Sequence, residues 1–515
     1  MTIQHEIRQT VSPLDFVPPL NYVRLVFPLP LKSNVDDKIV FNDLHHALHK
    51  TFVQEPWVSG KAFRQSPNTP GWRPGQIEMR YRQYSLHDPL PYQLRYLKLE
   101  TDWTYDDFKA AGFPSGVFPE ELLLLDAPRL GDVDVAGADI FLAQANFLSG
   151  GVLLALTVSH STMDAGAMIG LMKLWAENFR ELRGRDEGGR VAPTPYTSID
   201  RDHNQPDRIW EKETAQRILK NSPDDPWLRA LVCLDLGQDN DGPTGCEEGQ
   251  KAAIEEETQT NERVMLNRVV FLSGPDLAAL QKECAAESVL PGTPPLSISD
   301  AIQALLWRVL MKARVSAAEA RSKPLRDDIS VFETPVDVRS TFGQGFPPAY
   351  LGNCFLMNTA RMPLSELLDP STSLGRIAQA IRQGAARLDG DAVQDAYGLL
   401  RATGDLSRVQ GRFVERPDSS DVLVSNIIFL PLEEINFGDQ YFSNGGTPQA
   451  LRVLHGQYAA RVRLAHVLPR NKKHGGIEVS VNLFEDEFEY LDRDGQFNRY
   501  LVSIEPCRLA RADCV

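Results

Sequence analysis

A histidine follows directly on a strongly apolar run in LLALTVSHSTMDAGAMIGLMKLW (153–175), and an aspartate stands four residues further on, giving His160 and Asp164. A titratable side chain at the end of a strand stands clear of its sheet. There His160 could accept the proton of an attacking hydroxyl, work that suits a base with a pKa near 7. The pattern is short, and its plainest reading is a hydrogen-bonded core histidine. Asp164 also has a modest reading, because aspartate is a preferred N-cap and a helical pattern follows it. The functional reading is a buried carboxylate, paired with a cation from elsewhere, that fixes the loop aiming His160. A second stretch, VFETPVDVRSTFGQGFPPAYLGNCF (331–355), carries Asp337, Arg339, Pro348, Tyr350, Gly352 and Asn353. Alone it reads as a strand followed by a glycine- and proline-rich surface connection.

Two further groups could be taken for sites. HHALH places His45 and His49 four apart on a helical pattern, a spacing that can bind a metal. No third ligand is evident, so a solvated helical face is expected and no metal. Six cysteines (Cys233, Cys246, Cys284, Cys354, Cys507, Cys514) are scattered without metal-ligand or redox spacing, which suits a reducing compartment.

The elements that must position these residues read as mixed α/β. The runs 21–31, 138–148 and 151–159 have strand character, and 41–54 and 164–182 have helical spacing. From about 184 to 262 the chain is rich in Pro, Gly, Asp and Glu, as a crossover or linker is. Regular patterns return with a strand at 263–272, a helix after it, and a further helix announced by Ser297 and Asp300, the spacing of a capping box. Residues 460–468 and 477–485 read as a hairpin around the basic turn PRNKKHGG (469–476). At 515 residues the chain exceeds what one core usually supports. Two comparable α/β domains are expected, 1–184 and 263–515, joined by 185–262.

Hydrophobic residues at 42% and charged residues at 24% are ordinary for a globular protein. The net charge of −15 argues against a nucleic-acid backbone or an anionic membrane as the main partner, since both would be repelled. The start, MTIQHEIRQT, lacks the features of a signal peptide, and no run approaches the roughly 18 apolar residues of a span. Cytoplasm is the expected location.

Taken in order, these features resemble the BAHD acyltransferases, more closely the fungal branch that includes trichothecene O-acetyltransferases. The resemblance runs through SPLD (12–15), PWVSGK (56–61), His160-x-x-x-Asp164, the helix from Ser297 to LLWRVLMKAR (305–314), VDVRS…PPAYLGN (336–353) and HVLPR…GGIEVSVNLFEDEFEYL (466–491). Each piece is weak and their order is strong. The resemblance implies two chloramphenicol-acetyltransferase-like domains with a channel between them, open to acyl-CoA as co-substrate at one face and to a small-molecule alcohol at the other. It implies that His160 is the general base, that Asp164 pairs with Arg339, and that Ser297, Gly352 and Asn353 lie near coenzyme A. No tightly bound cofactor and a monomeric state are expected.

The family's Asp-Phe-Gly-Trp-Gly motif is here NFGDQ (436–440), in which only Phe437 and Gly438 persist. A structural role for those two is expected, without an indole to help hold the oxyanion. The basic residues Arg470, Lys472, Lys473 and His474 could meet a coenzyme A phosphate, but a solvated hairpin tip is the plainer expectation. Two rival readings are acyl transfer from a carrier protein, as in condensation domains, and a non-catalytic or cyclase-like protein on the same fold. Ser159 where condensation domains carry a first histidine weighs against the former, and the intact His160 and Asp164 against the latter.

Overall fold

The computed structural model describes residues 5–125, 137–182, 201–214, 220–234, 263–286, 295–325, 327–411, 419–455, 462–470 and 475–504. Two large sheets organise the chain. A five-stranded sheet takes β2 (Tyr22–Pro30), β5 (Leu94–Lys98), β7 (Phe141–Leu148), β8 (Gly151–Ser159) and β13 (Arg452–Leu454), in the order β13-β2-β8-β7-β5. A seven-stranded sheet takes β9 (Met265–Ser273), β10 (Ile329–Asp337), β11 (Phe355–Pro363), β12 (Asp421–Asn426), β14 (Leu464–Val467), β15 (Gly476–Phe484) and β16 (Val502–Ser503), in the order β11-β10-β12-β14-β15-β9-β16. The strand expected over 138–148 divides: β6 (Ala138–Asp139) joins a small four-stranded sheet with β1 (Ile7–Thr10), β3 (Lys61–Arg64) and β4 (Ile77–Tyr81), in the order β1-β4-β3-β6, and Ile140 separates it from β7.

The two sheets obey different burial rules. Every residue of β7 and β8 is buried, as expected of strands covered on both faces. Helix α1 (Asp37–Gln54) and helix α2 (Ala165–Glu181) pack together on this sheet, with Trp175 of α2 donating its indole N–H to the Leu44 carbonyl of α1 at 2.9 Å. In the other half, helix α3 (Ile298–Ala320) is buried along most of its length against a core that includes Val424, Ala465 and Val467. Its start is fixed by the capping box expected from the sequence: the Ser297 hydroxyl accepts from the Asp300 N–H at 3.3 Å, and the Asp300 carboxylate accepts from the Ser297 N–H at 2.7 Å.

The halves are not separate in sequence. Although it lies within 263–515, β13 pairs antiparallel with β2 and completes the five-stranded sheet, and Phe437, Tyr441, Phe442 and Leu451 share the amino-terminal core. Much of the 185–262 crossover lies outside the described residues; within it, helices run over Gln205–Thr214 and Pro226–Leu231.

Candidate active site

The strand β8 ends at Ser159, and the next residue is His160, whose backbone N–H is held by the Asn21 carbonyl at 2.9 Å. The ring is half-buried at the junction of the two halves, with its centroid 6.1 Å from that of Phe355 at the start of β11. Its Nδ1 lies 3.1 Å from the Met163 carbonyl oxygen. A carbonyl can only accept, so Nδ1 carries the proton and Nε2 keeps a free lone pair. Burial pushes the imidazole below its ordinary pKa, with the nearby Asp164 carboxylate opposing. His160 is therefore a neutral base at physiological pH, in a fixed tautomer.

Asp164 does more than cap α2. Its Oδ1 accepts from the Ala167 N–H at 2.8 Å, the ordinary N-cap bond, and also from Arg339 Nη2 at 2.9 Å. Its Oδ2 accepts from the Cys354 N–H at 2.9 Å. Arg339, from the other half, donates further to the Gly352 carbonyl at 2.9 Å and to Asp337 Oδ2 at 2.8 Å. Burial alone would discourage charge on this guanidinium, and the hydrogen-bonded Asp164 carboxylate together with Asp337 more than offsets it, holding Arg339 firmly protonated. The two stretches singled out in the sequence thus meet, and the second is the docking loop of one half on the other rather than a surface connection.

Gly352 and Asn353 are part of this joint. A Cβ on Gly352 would collide with the Tyr350 ring, so only glycine lets the loop close. The Asn353 side-chain amide donates to the His160 carbonyl and to Asp15 Oδ1, each at 2.8 Å. Asp15, wholly buried, also accepts from the Ser12 N–H at 2.8 Å and lies 3.3 Å from His203 Nδ1. A buried chain of polar groups therefore runs from the SPLD segment through Asn353 to the backbone of His160. Sequence reasoning gave Asp15 no role and missed His203 altogether; Ser12 and Asp15 form a capping box whose spacing was a usable signal, whereas His203 offered none.

Other expected site residues lie apart. Ser297 caps α3, and among the described residues no hydrogen bond joins it to the His160 cluster; the neighbouring Ser299 hydroxyl accepts from Asn426 at the end of β12 at 2.5 Å. Phe437 and Gly438 sit against the far end of α2, where Phe437 meets Trp175 and Phe179 edge-on and Arg180 donates to the Asn436 carbonyl. From Ala165 to Phe179 the helix rises about 20 Å, so this segment is remote from His160. Gly438 has φ +85°, and Asp439 is exposed. The solvated face expected at His45 and His49 is corrected: His45 Nε2 lies 2.6 Å from the Pro91 carbonyl and the buried His49 Nε2 2.9 Å from the Ser85 carbonyl, so both anchor a loop. Among the described residues no group of three His, Cys, Asp or Glu is placed to hold a metal ion. Arg470 is exposed, while Lys472, Lys473 and His474 lie outside the described residues.

A neutral, oriented histidine thus stands where the two α/β halves of a two-domain scaffold meet. The sequence matches the Transferase family over residues 234–498 and a trichothecene 3-O-acetyltransferase-like N-terminal domain over residues 21–178. The chain belongs to this transferase family, the BAHD acyltransferases. The isocyanide synthase-NRPS hybrid crmA of Aspergillus fumigatus is 29% identical across 98% of this chain, which spans only 32% of that relative's length. The acyltransferase BOA11 of Botryotinia fuckeliana is 22% identical, with 96% of this chain and 97% of that protein matched. A crystal structure of F. graminearum TRI101 complexed with coenzyme A and deoxynivalenol superposes with a TM-score of 0.70 over 97% of this chain and 100% of that one, at 18% identity. That likeness bears out the expected α/β fold of two acyltransferase-like domains.

Proposed function

We propose that this chain is an acyl-CoA-dependent O-acyltransferase that delivers an acyl group, most simply acetyl, to a hydroxyl of a secondary metabolite such as a terpenoid or polyketide. The observation that carries the reading is the tautomer of His160: with Nδ1–H fixed on the Met163 carbonyl, Nε2 is left as the only proton acceptor on the ring. Family membership supplies the reaction type. His160 Nε2 takes the acceptor's proton as its oxygen attacks the thioester carbonyl. The tetrahedral oxyanion then collapses, the carbon–sulfur bond breaks, and the imidazolium returns a proton to the coenzyme A thiolate. General base catalysis supplies roughly 10²–10⁴-fold, and positioning between the halves must provide much of the rest.

Direct transfer, with no covalent acyl-enzyme, is supported by Cys354. Burial pushes that thiol well above its ordinary pKa, with Arg339 opposing, so it stays protonated beside Asp164 and is a poor nucleophile. In this reading Asp164 and Arg339 lock the loop that aims His160, and Gly352 and Asn353 seat the same joint next to the coenzyme A arm. Ser297 is the cofactor-side helix start, and Phe437 and Gly438 are a structural buttress of α2. The working unit is two halves, 1–184 and 263–515, joined by 185–262, with β13 lent back to the first. We further propose a cytoplasmic monomer without a resident cofactor; no described helix is long and apolar enough to cross a membrane.

One observation favours a second reading. A third of a synthetase hybrid matches almost the whole of this chain, which fits an acyl group handed over by a carrier protein instead of free coenzyme A. The experiment that separates them offers the purified protein a panel of acyl-CoA donors with candidate alcohols and follows free thiol. Acceptor-dependent thiol release is expected. Its absence with every donor, together with transfer from an acylated carrier protein, would replace the coenzyme A reading by the carrier one.

A further inference from the structure

A second pair of imidazoles lies at the junction of the two halves and has no part in the chemistry above. His455 follows directly on β13, the strand that completes the five-stranded sheet, and His466 sits on β14 of the seven-stranded sheet. Their ring centroids are 5.5 Å apart at 43°, so the pair spans the two halves. The side of β14 that His466 faces follows from the strand period: Ala465 and Val467 enter the carboxy-terminal core, while Leu464 packs against the amino-terminal one. His466 shares the side of Leu464. In register beside it stand Ser425 on β12 and Ser480 on β15, giving a polar row with no charge in it.

Neither imidazole has a hydrogen bond to a described residue, and Nε2 of His455 and Nδ1 of His466 are closed off from solvent. Burial pushes His455 down to about 4 and His466 to about 3, the latter with help from His455 and His160, so both rings are neutral at physiological pH and His466 stands within the field of His160. Each neutral ring offers one N–H donor and one lone pair. Buried polar atoms left unpaired are rare because they destabilise the fold, and a pair of them beside a reacting group marks a place where something else supplies the partners. Arg452, three residues before His455, is already engaged with Glu478 at 2.8 Å and with the carbonyls of Gly112 and Phe113 at 2.7 Å. The row itself carries no charge to compensate an anion, so an uncharged hydrogen-bonding group suits it better than a phosphate or carboxylate.

We propose that His455 and His466 form a binding subsite for an uncharged hydrogen-bonding group, an amide, hydroxyl or carbonyl, of a molecule taking part in the transfer at His160. The inference rests on the acyl-transfer reading. Two sources share this chemistry: the amides of the pantetheine arm of the donor, and a second oxygen function on the acceptor alcohol.

The test compares the unaltered protein with His466→Leu and His455→Leu, using coenzyme A, pantetheine and 3′,5′-ADP as calorimetric probes and the alcohols active in the thiol-release assay as acceptors. Each leucine variant should unfold at the same denaturant concentration as the parent or higher, since it removes unpaired polar atoms. A tenfold or greater loss of coenzyme A and pantetheine affinity, with 3′,5′-ADP binding unmoved, assigns the pair to the donor arm. A tenfold or greater rise in KM for the alcohol, with kcat moved far less, assigns it to the acceptor. His466→Gln, which restores one donor and one acceptor, should recover most of the loss. If the folded leucine variants leave coenzyme A affinity and acceptor KM unmoved, or if both leucine variants are strongly destabilised, the subsite is overturned and the pair is structural. Failure of the unaltered protein to bind coenzyme A at all would overturn the coenzyme A reading and the subsite with it, an outcome distinct from normal binding that His466→Leu does not change.

Discussion

Replacing Asp164 by asparagine separates a helix cap from a keystone, because the two roles predict different energies. Asparagine caps about as well as aspartate, so capping alone predicts a change near zero. In the structure the carboxylate accepts three hydrogen bonds, from Ala167 N, Arg339 Nη2 and Cys354 N. An asparagine has one oxygen to meet them. If that oxygen keeps Ala167 and Arg339, its NH₂ faces the Cys354 N–H, donor to donor; if it turns, the cap and Arg339 lose their acceptor. Either way at least one buried donor is left unpaired, which costs about 1–3 kcal/mol. Arg339 also loses a counter-charge in a buried setting, where breaking an ion pair costs about 3–5 kcal/mol. The exposed Asp337, still within reach of Arg339, softens that loss. The expected total is about 3–4 kcal/mol, read by guanidinium unfolding, with thiol release falling in parallel. In a double-mutant cycle with Arg339→Met the coupling should be at least about 2 kcal/mol. A variant within about 0.5 kcal/mol of the parent, or strictly additive losses, would refute the keystone reasoning and leave Asp164 as a cap.

Five further expectations follow from particular residues. Gly352→Ala should cost about 1–3 kcal/mol by forcing the Tyr350 ring from its place, and unfolding unchanged from the parent would contradict the close approach. Gly438→Val should cost about 1–3 kcal/mol, because φ is +85° there and a β-branched residue resists it, while thiol release by the exposed Asp439→Ala should stay within about threefold of the parent. The acid limb of kcat/KM should have its midpoint below 6.5, since burial lowers the pKa of His160 and the base form survives to lower pH; a midpoint above 6.5 would mean that the imidazolium is the favoured form. Glu487 is pushed up by burial but pulled down to about 2 by Arg463, Arg314 and Arg263, so its contribution is present above pH 4.5 and is lost as pH falls from 4.5 towards 2. That contribution is at most about 3 kcal/mol, and Glu487→Gln should remove that share of the acid dependence in the window.

The candidate site was legible wherever its residues were also local signals. Asp164 and Ser297 are N-caps, and a cap is written in the few residues around it; the pairing of Asp164 with Arg339 was implied by the family resemblance and not by either stretch alone. What stayed hidden is non-local. Asp15 and Asn353 are 338 residues apart and meet only when the halves close, and His203 comes from a crossover whose composition reads as a linker. His45 and His49 looked solvated because helical spacing does not say that a loop at 85–91 will lie over that face. The fate of NFGDQ was half legible: the turn demanded by Gly438 could be expected, whereas its place at the far end of α2 depends on tertiary packing.

The central claim is that His160 Nε2 is the base for acyl transfer, and His160→Ala tests it most directly, assayed beside the parent for acceptor-dependent thiol release and for the circular dichroism of the folded chain. The account predicts an intact fold and turnover lowered by at least ~10²-fold, since the substitution removes the oriented Nε2 lone pair. A well-folded His160→Ala protein that releases thiol at a rate close to the parent's would contradict it.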